Sequence, residues 1–226
     1  MVSTTGGTGK AAAMLGGVGG ILFGLLTLGG TIVANAPGGG YSASSVSNYL
    51  AHGHRIVVLV ITHLALVGVL GLVALLAYLR DAITVRLENR AAGNIVWGAG
   101  LVAAASYAIG WAVIGGQVVA HLEGGTIAIP APLTYLISEI GVMFIFGAGS
   151  IMLGFALITL MVSSRGVLPN WVRRVVLVAG LCGVAGLAFF PFFVLMICMA
   201  VVGVWLVAAG QEVTTPAAAL DSASAL

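Results

Sequence analysis

The chain has 226 residues, 61% of them hydrophobic and only 6% charged, with a mean hydropathy of +1.20 and a formal net charge of +2. A water-soluble domain carries about 25% charged residues, so the charged residues here cannot cover a soluble fold of this length, and the solvent implied for its surface is lipid. With no basic stripe to neutralise phosphates, a nucleic-acid partner is excluded.

Residues 1–10 (MVSTTGGTGK) are small and polar and read as a disordered tail. The apolar run 11–34 is long enough to cross a bilayer. It has two readings, a retained first span or a secretory signal, because Lys10 precedes it and Ala34-Asn35-Ala36 has the pattern of a cleavage site. The retained helix is favoured. The run exceeds the roughly 7–15 residues of a signal-peptide core, and Pro37 would directly follow the cut. Gly16, Gly20 and Gly24 recur every fourth residue and predict a smooth face for helix packing.

Residues 36–54 form a polar Gly/Ser-rich loop in which Ser44 or Ser45 can cap a short helix. The second span is predicted over 55–78 and ends in the charged loop RDAITVRLENR. The third covers 91–120 and the fourth 133–162. The last apolar stretch, 175–210, has 36 residues; as one helix it would run about 54 Å against a hydrocarbon core of about 30 Å. Proline disfavours helix at the preceding residue, so a break is expected at Phe190-Pro191, giving two short spans. If that proline only kinks the helix, the count is five. The tail 211–226 reads as disordered. The fold class is therefore all-α, a single polytopic transmembrane bundle over 11–210 with six spans, or five.

Six spans put Lys10, Arg80, Arg86, Arg90, Arg165, Arg173 and Arg174 on one side and Arg55 on the other. Basic residues concentrate in cytoplasmic loops, so both termini are expected inside. Trp97, Trp171 and Trp205 are candidate interfacial anchors.

Intramembrane polar groups are costly and therefore informative. His63 and Glu139 fall within different spans at similar expected depth, about 12 and 10 Å from the same boundary at 1.5 Å per residue. Tyr107, Trp111, Ile114, Gln117 and His121 share one helical face, and Tyr135, Glu139, Met143, Phe146, Ser150 and Gly154 another. These spacings predict a polar cluster of His63, Gln117 and Glu139 with Tyr135 beside it, rimmed by His54, His121 and Glu123. Such a cluster fits a structural network, a transport path, a metal site built from His54, His63, His121 and Glu139, or a haem ligand. Cys182 and Cys198 lack C-x-x-C spacing and read as buried hydrophobes. Gly147-Ala148-Gly149 lies inside an apolar helix, where glycine permits packing rather than phosphate binding. No nucleophile elbow or P-loop occurs, and the reading leans away from an enzyme.

The stretch SASSVSNYLAHGHRIVVLV and the segment RGVLPNWVRRVVLVAGL, whose G-x-L-P-x-W pattern is carried by Gly166, Leu168, Pro169 and Trp171, resemble an uncharacterised bacterial family of six-span membrane proteins common in actinobacteria. The likeness covers most of the chain in layout. Where such proteins often place a polar loop between the last two spans, this chain has FFPFF. The resemblance implies six helices and a bacterial plasma membrane and supplies no catalytic residues.

The leading expectation is an accessory or scaffold subunit of a larger membrane assembly, contacting the bilayer and other membrane proteins or copies of itself. The alternatives are a small transporter or channel using the His63–Glu139 region, and a membrane-embedded metal or haem protein. No cofactor is predicted.

Overall fold

A computed structural model describes residues 5–37, 41–86, 89–123, 130–164 and 168–209. The described residues are almost entirely helical: α1 (Thr5–Ala34), α2 (Ala43–Tyr49), α3 (His52–Arg86), α4 (Arg90–Glu123), α5 (Ala131–Val142), a π-helical segment (Met143–Gly149), α6 (Ser150–Ser163), α7 (Asn170–Val184), a 3₁₀ turn (Gly186–Ala188) and α8 (Phe190–Ala209). The protein is an all-α membrane bundle. Five helical stretches among the described residues are long and apolar enough to cross a bilayer: α1, α3, α4, the continuous α5–π–α6 run, and α8.

Of the two remaining α-helices, α2 has 7 residues and α7 has 15, both short of the roughly 20 a span requires. Helix α7 nevertheless runs antiparallel beside α6. Arg173 Nη2 donates to the Met161 carbonyl, while Gly183 and Gly186 meet Ser150. The expected break between the last two helices is present but earlier than proline alone suggests. The chain turns at Ala185–Phe189, with Phe189 at φ 63°, and Pro191 sits in the first turn of α8. There its missing N–H leaves no helix bond unmade.

Successive long helices alternate in direction. Gly19 of α1 lies on Gly71 of α3, where a methyl group on Gly71 would stand 2.5 Å from the Gly19 carbonyl oxygen. Only glycine permits so close an approach. Gly100 of α4 packs on Leu76 of α3, and Gly110 of α4 on Gly141 and Ile145 of the α5–π run. Gly17, Gly20 and Gly24 of α1 meet α8 between Met196 and Val207, which closes the ring of helices. The centre is filled by Phe23, Tyr107, Trp111 and Phe192, all essentially buried, with Phe23 edge-on to Tyr107 at 5.1 Å.

This alternation sets the start of α1 and the end of α8 at one end of the bundle, together with Arg80, Arg90, Arg173 and Arg174. Arg80 lies over the Trp97 ring at 5.8 Å, and Trp171 meets Trp205 edge-on at 6.4 Å. Arg165 and Gly166 and the tail after Ala209 lie outside the described residues, as do 1–4 of the expected N-terminal tail. Helix α1 starts at Thr5 rather than near residue 11: hydrogen bonding carries the helix beyond its apolar stretch.

The helices differ in reach. The α7–α8 turn stops beside Phe146, where Gly186 meets the Phe146 carbonyl. Helix α5 begins at Ala131, fifteen residues, or about 22 Å, farther from the arginine end. The turn therefore leaves the upper half of α5 uncovered on that side. Leu136 and Met143 remain more than half exposed there.

Candidate functional site

The uncovered step becomes a cavity. Helix α1 ends at Ala34, and Asn35 adopts a left-handed φ of 42°, its N–H returning to the Thr31 carbonyl at 3.3 Å. Asparagine is among the few non-glycine residues that tolerate this helix-stopping conformation. Helix α2 packs against the bundle at this end. Ser42 caps α2 by accepting from the Ser45 N–H, and buried Tyr49 at the end of α2 donates its hydroxyl to the Ile114 carbonyl at 3.1 Å. Burial pushes the Tyr49 phenol well above its ordinary range. His54 Nε2 donates to the Ala34 carbonyl at 3.0 Å, satisfying one of the last carbonyls of α1, and Tyr49 lies edge-on to the His54 ring. Arg55 Nε donates to the Leu50 carbonyl.

Beside the end of α1 lies a cavity of about 500 Å³ bounded by α1, α4, the α5–π run and the α7–α8 turn. Its walls are chiefly apolar and aromatic: Trp111, Phe146, Leu187 and Phe189, with Glu139, Asn35 and Thr31 as polar members. Phe189 stacks on Phe146 at 5.2 Å. The Trp111 indole nitrogen is buried, with no hydrogen-bond partner among the described residues. A second, more polar cavity of about 330 Å³, lined by Ser42, Ser45, Asn48, Tyr49 and His54, adjoins the first and shares Asn35 and Ala36 with it.

The π segment shapes one wall. Ser150 Oγ donates to the Ile145 carbonyl, five residues back, and shares a hydrogen bond with the buried Tyr107 hydroxyl at 2.9 Å. Gly147 and Gly149 belong to this widened turn. Such π insertions rotate the helix downstream of them and concentrate at functional sites. Here it separates a half-exposed upper face, Tyr135, Glu139 and Met143, from a buried lower one, Phe146, Ser150 and Gly154.

The residues of the expected cluster are distributed as follows. Tyr135 donates to Glu139 Oε1 at 2.9 Å, and Glu139 lines the larger cavity. Gln117 is buried, but its partner is Ser138 of α5, through Nε2 to Oγ at 3.1 Å and Ser138 Oγ to Oε1 at 3.3 Å. His63 stands at the same level, since neighbouring Thr62 packs on Gly115. It is exposed on the outer face of α3, however, and its Nδ1 donates to the Leu59 carbonyl of its own helix at 2.8 Å. His121 Nδ1 donates to the Gln117 carbonyl, and Glu123 is exposed at the end of α4. His54 belongs to the adjoining polar cavity. The structure thus joins Tyr135 with Glu139 and sets His54 in the adjoining cavity, while His63, Gln117, His121 and Glu123 line neither cavity. Among the described residues no group of three or more His, Cys, Asp or Glu side chains is placed to hold a metal.

Gly16, Gly20 and Gly24 are occupied within the chain: Gly16 against Tyr78 of α3, Gly20 and Gly24 against α8. The residues that sequence reasoning passed over are Asn35, Tyr49, Ser138 and Phe189. Asn35 carried a signal, an asparagine followed by Ala-Pro at the end of an apolar run, but the same letters match a cleavage pattern.

Fold and site together define a multi-pass integral membrane protein with an amphipathic cavity toward the end of the bundle opposite Arg80, Arg90, Arg173 and Arg174. Compared with protein families, with curated proteins and with solved structures, the chain matches none.

Proposed function

We propose that this protein binds a small amphiphilic molecule between its helices and acts as a transporter or ligand-handling protein of a bacterial plasma membrane, with the arginine end and both termini in the cytoplasm. The observation that carries this reading is the 500 Å³ cavity, within the usual size range of ligand sites and apolar apart from a few convergent polar groups. The grouping of basic residues at one end supports the orientation.

A second reading, an accessory subunit of a membrane assembly, is favoured by the outward face of α4. There Gly98 and Gly116 have open space around them and flank exposed Ala105 and Ala112. Small residues on a lipid-facing helix suit contact with a partner helix.

Native mass spectrometry of the protein purified in mild detergent tests both. Ligand binding predicts a small molecule retained at one per chain and lost in Ala36→Trp, which fills the junction of the two cavities. The accessory reading predicts a stoichiometric protein partner instead. A bare chain that takes up no added amphiphile contradicts the first reading.

A further inference from the structure

We infer that the larger cavity opens sideways into the bilayer and takes its ligand, a lipid or other chain-bearing amphiphile, from the leaflet opposite Arg80, Arg90, Arg173 and Arg174; this rests on the ligand-binding reading above.

The turn that borders the cavity lies inside the hydrocarbon. Three helices measure its depth from the arginine end. In α7, Ala185 is fourteen residues from Trp171; in α8, Phe190 is fifteen from Trp205, which meets Trp171 edge-on. In α4, Gly110 is thirteen residues from Trp97, whose ring Arg80 covers, and it packs on Ile145 next to the Phe146 carbonyl that Gly186 meets. At 1.5 Å per residue each ruler gives about 20–22 Å. Tryptophans mark the interface and the hydrocarbon core is about 30 Å thick, so the turn stops roughly 8 Å short of the far boundary.

The chemistry of the turn agrees. Residues 185–193 (AGLAFFPFF) carry no polar side chain, and Leu187, Phe189 and Phe190 are more than half exposed. The N–H groups of Ala185, Ala188, Phe189 and Phe192 donate to the carbonyls of Leu181, Ala185, Gly186 and Phe189, and Pro191 has none to satisfy. Non-helical backbone at membrane depth has to be satisfied within the protein, because lipid offers no hydrogen-bond partner.

Lipid therefore fills the space above the turn, and the cavity meets that space. Met143 of the π segment and Leu187 and Phe189 of the turn each line the cavity and are each more than half exposed. One rim is thus shared by the cavity and the bilayer. The other end is polar: at Asn35 and Ala36 the cavity joins the annexe lined by Ser42, Ser45 and Asn48. A chain that enters over Met143 and Leu187 leaves its head group among hydroxyls and amides at the end of the bundle. This order, an apolar rim within the hydrocarbon and a polar annexe beyond it, is the order of chain and head group in a leaflet.

The test uses the full chain in phosphatidylcholine nanodiscs doped with a monoacylglycerol that carries a photoactivatable diazirine near the end of its chain, with peptide mapping after illumination. Leu70, 69% exposed on α3, reports contact with bulk lipid. Thr31 and Val142, half-buried on the α1 and α5 walls of the cavity, report a chain inside it. Label is expected at all three. Leu187→Trp, which narrows the rim, is expected to remove most of the label from Thr31 and Val142 and to leave that on Leu70. Met143→Trp serves the same purpose if Leu187→Trp does not fold as judged by circular dichroism and a monodisperse elution profile. A water-soluble diazirine, a short-chain alkyl glucoside, is run in parallel. Label at Thr31 and Val142 that survives the rim substitution, or that comes from the water-soluble probe alone, overturns the lateral route and leaves the binding reading in place. If neither probe reaches Thr31 or Val142, the binding reading itself falls.

Discussion

Tyr135 and Glu139 stand one turn apart on α5, and the tyrosine hydroxyl donates to Glu139 Oε1 at 2.9 Å. A pair at this spacing lies on one helical face, so the bond orients the carboxylate that lines the cavity. Tyr135→Phe removes that donor without changing the ring, which lies edge-on to Tyr41 at 5.4 Å. Hydrogen bonds in membrane bundles contribute about 0.6 kcal/mol on average. The substitution should therefore lower thermal stability in detergent only slightly. A loss of stability as large as that of a core truncation would contradict this and make the hydroxyl a principal tie of α5.

Two glycine positions make opposite predictions. Gly19 faces Gly71 with no room for a side chain, so Gly19→Leu must push α1 from α3. Overpacking of this kind costs about 1–3 kcal/mol, and a lowered midpoint of thermal unfolding in detergent is expected. Gly116 has open space around it. Gly116→Ala should be neutral or stabilise by about 0.5–1 kcal/mol through helix propensity. A strong defect from Gly116→Ala that appears only in native membranes would favour a partner helix on that face.

Tyr49 ties the cap to the bundle and provides a pH signature. Its phenol is pushed up by burial in the folded protein, whereas in the unfolded chain it ionises near pH 10. Above that pH the unfolded state releases a proton that the folded state retains, so the unfolded state binds fewer protons and stability falls as pH rises. Tyr49→Phe should flatten this alkaline limb. It should also speed hydrogen exchange in α2, because the bond to the Ile114 carbonyl is gone. Unchanged exchange in α2 would mean the cap is held by its other contacts.

Much of the architecture was legible because lipid imposes a length rule and charge marks the helix ends. The first four apolar runs are helices, and the break in the last stretch lies within five residues of Phe190-Pro191. The shortness of α7 was less visible, since the apolar letters run on through the turn and nothing polar marks it. The site was legible only in depth. Sequence spacing put His63 and Glu139 at similar depth, but depth along a helix says little about which way a side chain faces. His63 satisfies itself on the Leu59 carbonyl and needs no partner across the bundle. Gln117 turns to Ser138, a residue too ordinary in sequence to stand out. The cavity was hidden for a different reason: it arises from unequal helix reach, Ala185–Phe189 against Ala131, which no local motif encodes.

The central claim is a lipid-embedded bundle with its arginine end in the cytoplasm and its cavity at the other face. The direct measurement is cysteine labelling of intact cells with a membrane-impermeant maleimide, with Cys182 and Cys198 first replaced by alanine. Ser47→Cys on α2 should label in whole cells, whereas Val85→Cys, exposed at the arginine end of α3, should label only after the membrane is opened. Labelling of Val85→Cys in intact cells with Ser47→Cys protected would invert the orientation, and equal labelling of both sites in intact cells would contradict a bundle that crosses the membrane.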